Sequence, residues 1–184
     1  MEIIKTDIDG VVIIEPRIFK DERGYFFDSF AAHNYKKIDD CQWPQDNESM
    51  SSYGVVRGLH FQRPPFAQSK LVRCVVGEVL DVAVDIRKGS PTFGKHVEVI
   101  LSEDNHRQFY IPRGFAHGFA VLSEKAIFQY KCGWSQYNAA SDGGINLMDE
   151  SLGIDCRIPK NKMILSEKDK KHPLLKDFDT PFNF

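Results

Sequence analysis

No Cys-x-x-Cys pair occurs in this chain, and its four cysteines, Cys41, Cys74, Cys132 and Cys156, stand far apart. That spacing argues against a disulfide scaffold and against the paired-thiolate type of zinc site. Reduced thiols and a cytoplasmic setting are the expectation. No apolar run approaches the roughly 20 residues needed to cross a bilayer, and the opening Met1–Gly10 segment lacks the basic and long apolar stretches of a secretion signal. No membrane partner is expected. Strong charge of either sign is missing too, since a formal net charge of −2 gives no general attraction to nucleic acid. An anionic ligand must therefore be held by a local cluster of cations in a pocket. There is no internal repeat, no low-complexity run and no linker rich in Gly, Ser or Pro. The 184 residues are read as one domain, 1–184.

What is present is the composition of a folded protein, with 42% hydrophobic residues and fourteen Phe, which argues against disorder. Apolar and polar residues alternate over several short stretches separated by turn formers, the period-2 signal of half-buried strands. In Val79–Ile86, Leu80, Val82, Val84 and Ile86 share one face, expected to pack, while Val79, Asp81, Ala83 and Asp85 share a face carrying two carboxylates. Further strands are expected over Gly10–Glu15, Gly24–Phe30, Leu71–Val76, His96–Leu101, Arg107–Ile111, His117–Leu122 and Ala126–Cys132, with turns at Gly77-Glu78 and Ser102–Asn105. Helical signal is thin: Ser29–Ile38 is long enough for two or three turns, and the stretch after Ser166 for another. The pattern predicts a mainly β protein, a sandwich or barrel of jelly-roll type with a few short peripheral helices. The Lys- and Pro-rich stretch from Pro159 is expected to wrap the barrel.

The segment Val56–Lys70 sets His60 between the cations Arg57 and Lys70. A neutral imidazole is suited to take a proton near pH 7, and a lysine can stabilise the negative charge that results. With the phenol of Tyr130 these groups suit proton abstraction beside a carbonyl: a base, a cation for the enolate oxygen and an acid on the other face. The bland reading of each is a packed histidine and a half-buried tyrosine. In Ile111–Phe119, the pattern Pro112-x-Gly114-x-x-His117 resembles the second motif of the cupin superfamily. Many cupins hold a metal through a His-x-His pair, a Glu and a His in this second motif. Here the first motif reads His60-Phe-Gln62, with Lys70 where an acidic ligand would be sought. That set suits a metal poorly, so neither metal nor other cofactor is expected. Arg23 and Arg57 are forks for phosphate or carboxylate, and the polar run Gln45–Ser52 reads as a loop.

Taken in order, Asp21-Glu-Arg-Gly-Tyr-Phe26, Gln45-Asp-Asn-Glu-Ser49, Gly54-Val-Val-Arg-Gly-Leu-His-Phe-Gln62, Lys70-Leu-Val72, Asp81–Arg87, Ser90-Pro-Thr-Phe-Gly94, Ile111–Phe119, Tyr130-Lys-Cys132 and Leu165-Ser-Glu-Lys-Asp169 resemble the dTDP-4-dehydrorhamnose 3,5-epimerase family over nearly the whole chain. The resemblance implies a metal-independent, cupin-type jelly-roll enzyme, usually a homodimer, acting on a nucleotide sugar with a ketone at C4. It implies His60 as base, Asp169 as the carboxylate that orients it, Tyr130 as acid and Lys70 as enolate stabiliser. Asp85 stands as a second candidate orienter from the strand pattern. Around the substrate the resemblance places Arg23, Asp28, Gln45, Asn47, Arg57, His117, Asp142 and Lys168, some of them contributed by a partner subunit. Relatives commonly carry two adjacent aromatics after the Tyr-Lys-Cys segment, the first stacking on thymine, where this chain reads Gly133-Trp-Ser-Gln-Tyr-Asn138. Tyr137 or Trp134 is expected to supply that face. Readings left open are an epimerase of a single centre, a metal-dependent cupin oxygenase and a non-catalytic protein that binds sugar nucleotides.

Overall fold

The computed structural model describes residues 1–184. Its strands are β1 (Glu2–Lys5), β2 (Val12–Glu15), β3 (Phe19–Asp21), β4 (Gly24–Phe26), β5 (Gln45–Ser52), β6 (Val56–Gln62), β7 (Ser69–Val76), β8 (Glu78–Asp85), β9 (His96–Ser102), β10 (Gln108–Ile111), β11 (Phe115–Val121), β12 (Lys125–Gly133) and β13 (Asp142–Gly144). All pair antiparallel, in a six-stranded sheet ordered β1-β2-β10-β7-β12-β5 and a five-stranded sheet ordered β13-β6-β11-β8-β9, with β3 and β4 forming a separate hairpin. Two mixed-order antiparallel sheets packed face to face are the expected jelly-roll arrangement.

Each strand's alternation decides what lies between the sheets. Val72, Leu101, Phe109, Phe119, Val121 and Phe128 fill one end of the inter-sheet space, and apolar burial of this kind contributes about 25 cal/mol per Å². On β8 the sequence anticipated one packed face, but both are buried. Val79 and Ala83 look into the inter-sheet core, while Leu80, Val82, Val84 and Ile86 are covered by Ile145, Leu147, Leu152, Ile158 and Phe182. The C-terminal chain therefore does wrap the barrel, and its cover begins earlier than Pro159.

Several sequence expectations require correction. Gln45–Ser52 is not a loop but β5, an edge strand in full register with β12 from Gln45↔Cys132 to Ser52↔Lys125. Its polarity hid it: only alternate residues turn inward, while Asp46 and Glu48 are exposed and bond to Lys131 and Gln129. The helix expected over Ser29–Ile38 is a single turn, α1 (Ala32–Tyr35), and Asp169–Lys171 makes only a 3-10 turn. Gly24–Phe30 pairs only as far as Phe26. Asp85 does not orient a histidine. Its buried carboxylate accepts bonds from Arg87, Ser90 and Thr92 and fastens the turn after β8.

Candidate active site

The polar end of the inter-sheet space is built by register. On β6, His60 sits directly opposite His117 of β11, and directly opposed residues of an antiparallel pair project from the same face. From the facing sheet, Lys70 of β7 pairs with Cys132 of β12, and Tyr130 lies two residues before Cys132 on the same inward face. The Lys70 ammonium lies 5.7 Å from the centre of the Tyr130 ring. Thus imidazole, ammonium and phenol converge from two sheets, and none sits on a free loop.

His60 Nε2 lies 2.6 Å from Oδ1 of Asp169, a residue brought 109 positions along the chain by the C-terminal wrap. Asp169 is buried, and burial pushes its carboxyl upward. The His60 hydrogen bond and charge, Ser166 and the Gly58 N–H outweigh that, so its pKa falls below the ordinary carboxylate value. An ionised carboxylate only accepts, so the shared proton sits on His60 Nε2 and the Nδ1 lone pair is left free. His60 itself stays about one-third exposed, open to the pocket.

Behind His60, His117 is buried against Asp81, with Nε2 at 2.9 and 3.0 Å from the two carboxylate oxygens. Burial disfavours charge on both, pulling the imidazole down and pushing the carboxyl up, each opposed by its partner. Burial likewise lowers the Lys70 ammonium, opposed by Cys132, Asp81 and Asp142, although the side chain remains partly accessible. Tyr130 is raised, first by burial and then by Cys132, against the lowering effect of Arg57. A phenol so raised keeps its proton at neutral pH.

The rim carries most of the other expected residues. Asp142 is ion-paired with Lys168 and accepts from Tyr137 Oη at 3.3 Å. Gln45 accepts the Tyr137 N–H at 2.7 Å and donates to Asn47, which donates to Cys132. Arg57 is exposed with no carboxylate partner. Trp134 is already engaged, stacked under Arg113 at 3.8 Å and donating its indole N–H to Asp39. Tyr137, half-exposed at 54%, is therefore the freer aromatic face. Arg23 and Asp28 are not gathered here within one chain: Arg23 pairs with Asp21 on the exposed hairpin, and Asp28 is exposed.

Two neighbours of the pocket escaped sequence reading. Asp81 was expected on the face of β8 opposite the packed one, and its burial against His117 was not anticipated. His172 follows Asp169 by three residues on the same 3-10 turn. Its ring lies edge-on to His60 at 5.6 Å and packs against Gly144, the residue opposite His60 on β13. Its Nε2 is 3.7 Å from Asp169 Oδ1 and has no hydrogen-bond partner. The cupin metal positions, by contrast, are occupied by other bonding. Gln62 is held by Asn138 and Asp142, Lys70 is a cation, and His117 is tied to Asp81. Those side chains do not fit a metal.

A cupin-type barrel whose pocket joins a carboxylate-bound imidazole to an ammonium and a phenol belongs to the acid–base isomerases. Similarity to known proteins narrows the class. The family model for dTDP-4-dehydrorhamnose 3,5-epimerase matches residues 5–177, and the chain belongs to that family. The dTDP-4-dehydrorhamnose 3,5-epimerase of Shigella flexneri is 52% identical over 92% of this chain and 93% of its own. A crystal structure of the 3,5-epimerase from Legionella pneumophila, in complex with dTDP-4-keto-L-rhamnose, superposes with a TM-score of 0.92 at 50% identity, covering 97% of this chain and 94% of that one. A 3'-monoepimerase from Streptomyces bikiniensis, in complex with dTDP-quinovose, has a TM-score of 0.85 at 33% identity over 94% of this chain and 87% of its own.

Proposed function

We propose that the chain converts dTDP-4-dehydro-6-deoxy-D-glucose to dTDP-4-dehydro-L-rhamnose by inverting C3 and C5 in turn. The observation that carries the chemistry is the 2.6 Å bond between His60 and the buried Asp169, in a pocket that also holds Lys70 and Tyr130. His60 Nδ1 removes the proton beside the C4 ketone, and Asp169 stabilises the imidazolium that forms. Lys70 stabilises the enolate oxygen, and a desolvated ammonium does so strongly because no reorganisation of solvent is needed. Tyr130 returns a proton from the opposite face, which inverts the centre.

Arg57, Lys168 and the partner's hairpin cations hold the diphosphate, while Gln45, Asn47, His117 and Asp142 position sugar and base. Tyr137 stacks on the base in preference to Trp134, which has one face under Arg113 and its N–H on Asp39. Arg23 and Asp28 serve the site of a second copy. Their hairpin makes no sheet pairing with its own barrel and exposes Phe19, Tyr25 and Phe26, so the working species is a homodimer with shared sites.

The likeness to a 3'-monoepimerase supports a second reading, inversion of one centre on a related 4-keto sugar nucleotide. Incubation of the 4-keto substrate in deuterated water separates the two. Deuterium at both C3 and C5 supports double inversion, and deuterium at one carbon only supports the alternative.

A further inference from the structure

His172 takes no part in that scheme, yet its Nε2 is buried without a partner. Leaving such an atom unpaired is costly, and proteins rarely do so without a water or ion at the site. What surrounds it is a ligand set. His60, Asp169 and His172 each offer one ligand atom, and the three atoms lie within 4.8 Å of one another. Two imidazole nitrogens and one carboxylate oxygen are the donors that select zinc-like divalent transition metals over Mg²⁺ or Ca²⁺.

The geometry points to His60, Asp169 and His172 as an inhibitory site for a divalent transition metal such as Zn²⁺, sharing only His60 with the cupin metal positions. A tetrahedral ion about 2.0–2.2 Å from each ligand sets the donor atoms roughly 3.2–3.6 Å apart. The Asp169–His172 separation of 3.7 Å already suits this. The 2.6 Å His60–Asp169 bond must open, by about 1 Å at most. The Gly144 backbone braces the His172 ring, since a Cβ there would lie 2.5 Å from Nε2. Entry is from the pocket, through the exposed part of His60.

Inhibition follows from the tautomer. The metal takes the Nε2 lone pair of His60, so the single proton of the neutral ring moves from Nε2 to Nδ1. That leaves no lone pair where the substrate proton must go. No bond to carbon forms, no electron is transferred and no proton is released. This consequence rests on His60 as the base; the binding site does not.

Binding is measured on the whole protein without substrate, because a diphosphate itself holds divalent ions. Co²⁺ serves as the spectroscopic probe and Zn²⁺ as the competitor. One Co²⁺ per chain should give visible bands of low coordination number and be displaced by Zn²⁺, with Mg²⁺ inert. His172→Gln should weaken binding by about 100-fold or more, beyond the 10- to 100-fold cost of losing an outer-shell partner. One equivalent of Zn²⁺ should then silence turnover, with recovery on adding EDTA, while His172→Gln keeps turning over at that concentration. Equal Co²⁺ binding by His172→Gln, or none by the native chain, overturns the site. Full turnover with the site loaded overturns the inhibition and locates the failure in the role given to His60. Should His172→Gln misfold, a Zn²⁺-soaked crystal of the native protein decides: an anomalous peak between the three residues is expected, and a peak only elsewhere refutes the assignment.

Discussion

At the scale of single residues, the chemistry depends on where one proton sits. Asp169, held ionised by its bonds to His60, Ser166 and Gly58, fixes the Nε2–H tautomer and leaves Nδ1 to react. His60→Ala should lower kcat by about 100- to 10,000-fold, the usual worth of a general base, with the circular dichroism unchanged. Asp169→Asn keeps a partner but cannot stabilise an imidazolium, so its loss should fall in kcat rather than KM. Lys70→Met should cost roughly 100- to 1000-fold in kcat, as for removal of one oxyanion stabiliser. Steady-state kinetics on the three proteins checks this ordering. His60, Lys70 and Tyr130 were legible in the sequence because their residue types match the chemistry. His172 was not, because its value as a ligand depends on His60 of β6, more than 100 positions away, joining Asp169 beside it.

At the scale of elements, strand pairing places these groups, and two features of the five-stranded sheet can be tested. Gly58 has φ +125°, and a Cβ on it would lie 2.6 Å from the Gly118 Cα on β11. Gly58→Ala should therefore destabilise the fold by about 2 kcal/mol or more, lowering Tm by roughly 4–8 °C for a chain of this size. The second feature is Asp85, whose carboxyl burial would raise but whose bonds from Arg87, Ser90 and Thr92 lower to about 2 from 3.8. Because the folded value is depressed, its contribution of about 2 kcal/mol is complete above pH 4 and is lost as pH falls through about 2. Denaturant midpoints measured across that range should fall less steeply for Asp85→Asn. The alternation in β7, β8, β11 and β12 made those strands legible. β5 was hidden because an edge strand with polar residues on both faces carries no hydrophobic period.

At the scale of the whole molecule, one chain presents a nearly complete pocket and one hairpin outside both sheets. Phe19, Tyr25 and Phe26 are 51%, 58% and 66% exposed, a patch that would be buried against a second copy. Sedimentation should give twice the mass of one chain, and Phe26→Asp should shift it toward monomer. Arg23→Ala should leave the dimer intact and raise KM if, as proposed, its fork serves the neighbouring site. The proposed division between chains rests in the sequence on the family resemblance alone, since no alternation or spacing reveals which protomer a residue serves. The central claim is that one carboxylate-bound histidine abstracts protons beside the C4 ketone, at two carbons in succession. Deuterium incorporation from solvent into the 4-keto sugar nucleotide tests it most directly. The account predicts label at C3 and C5 with the native protein and at neither with His60→Ala. Label at a single carbon, or undiminished exchange in His60→Ala, would contradict it.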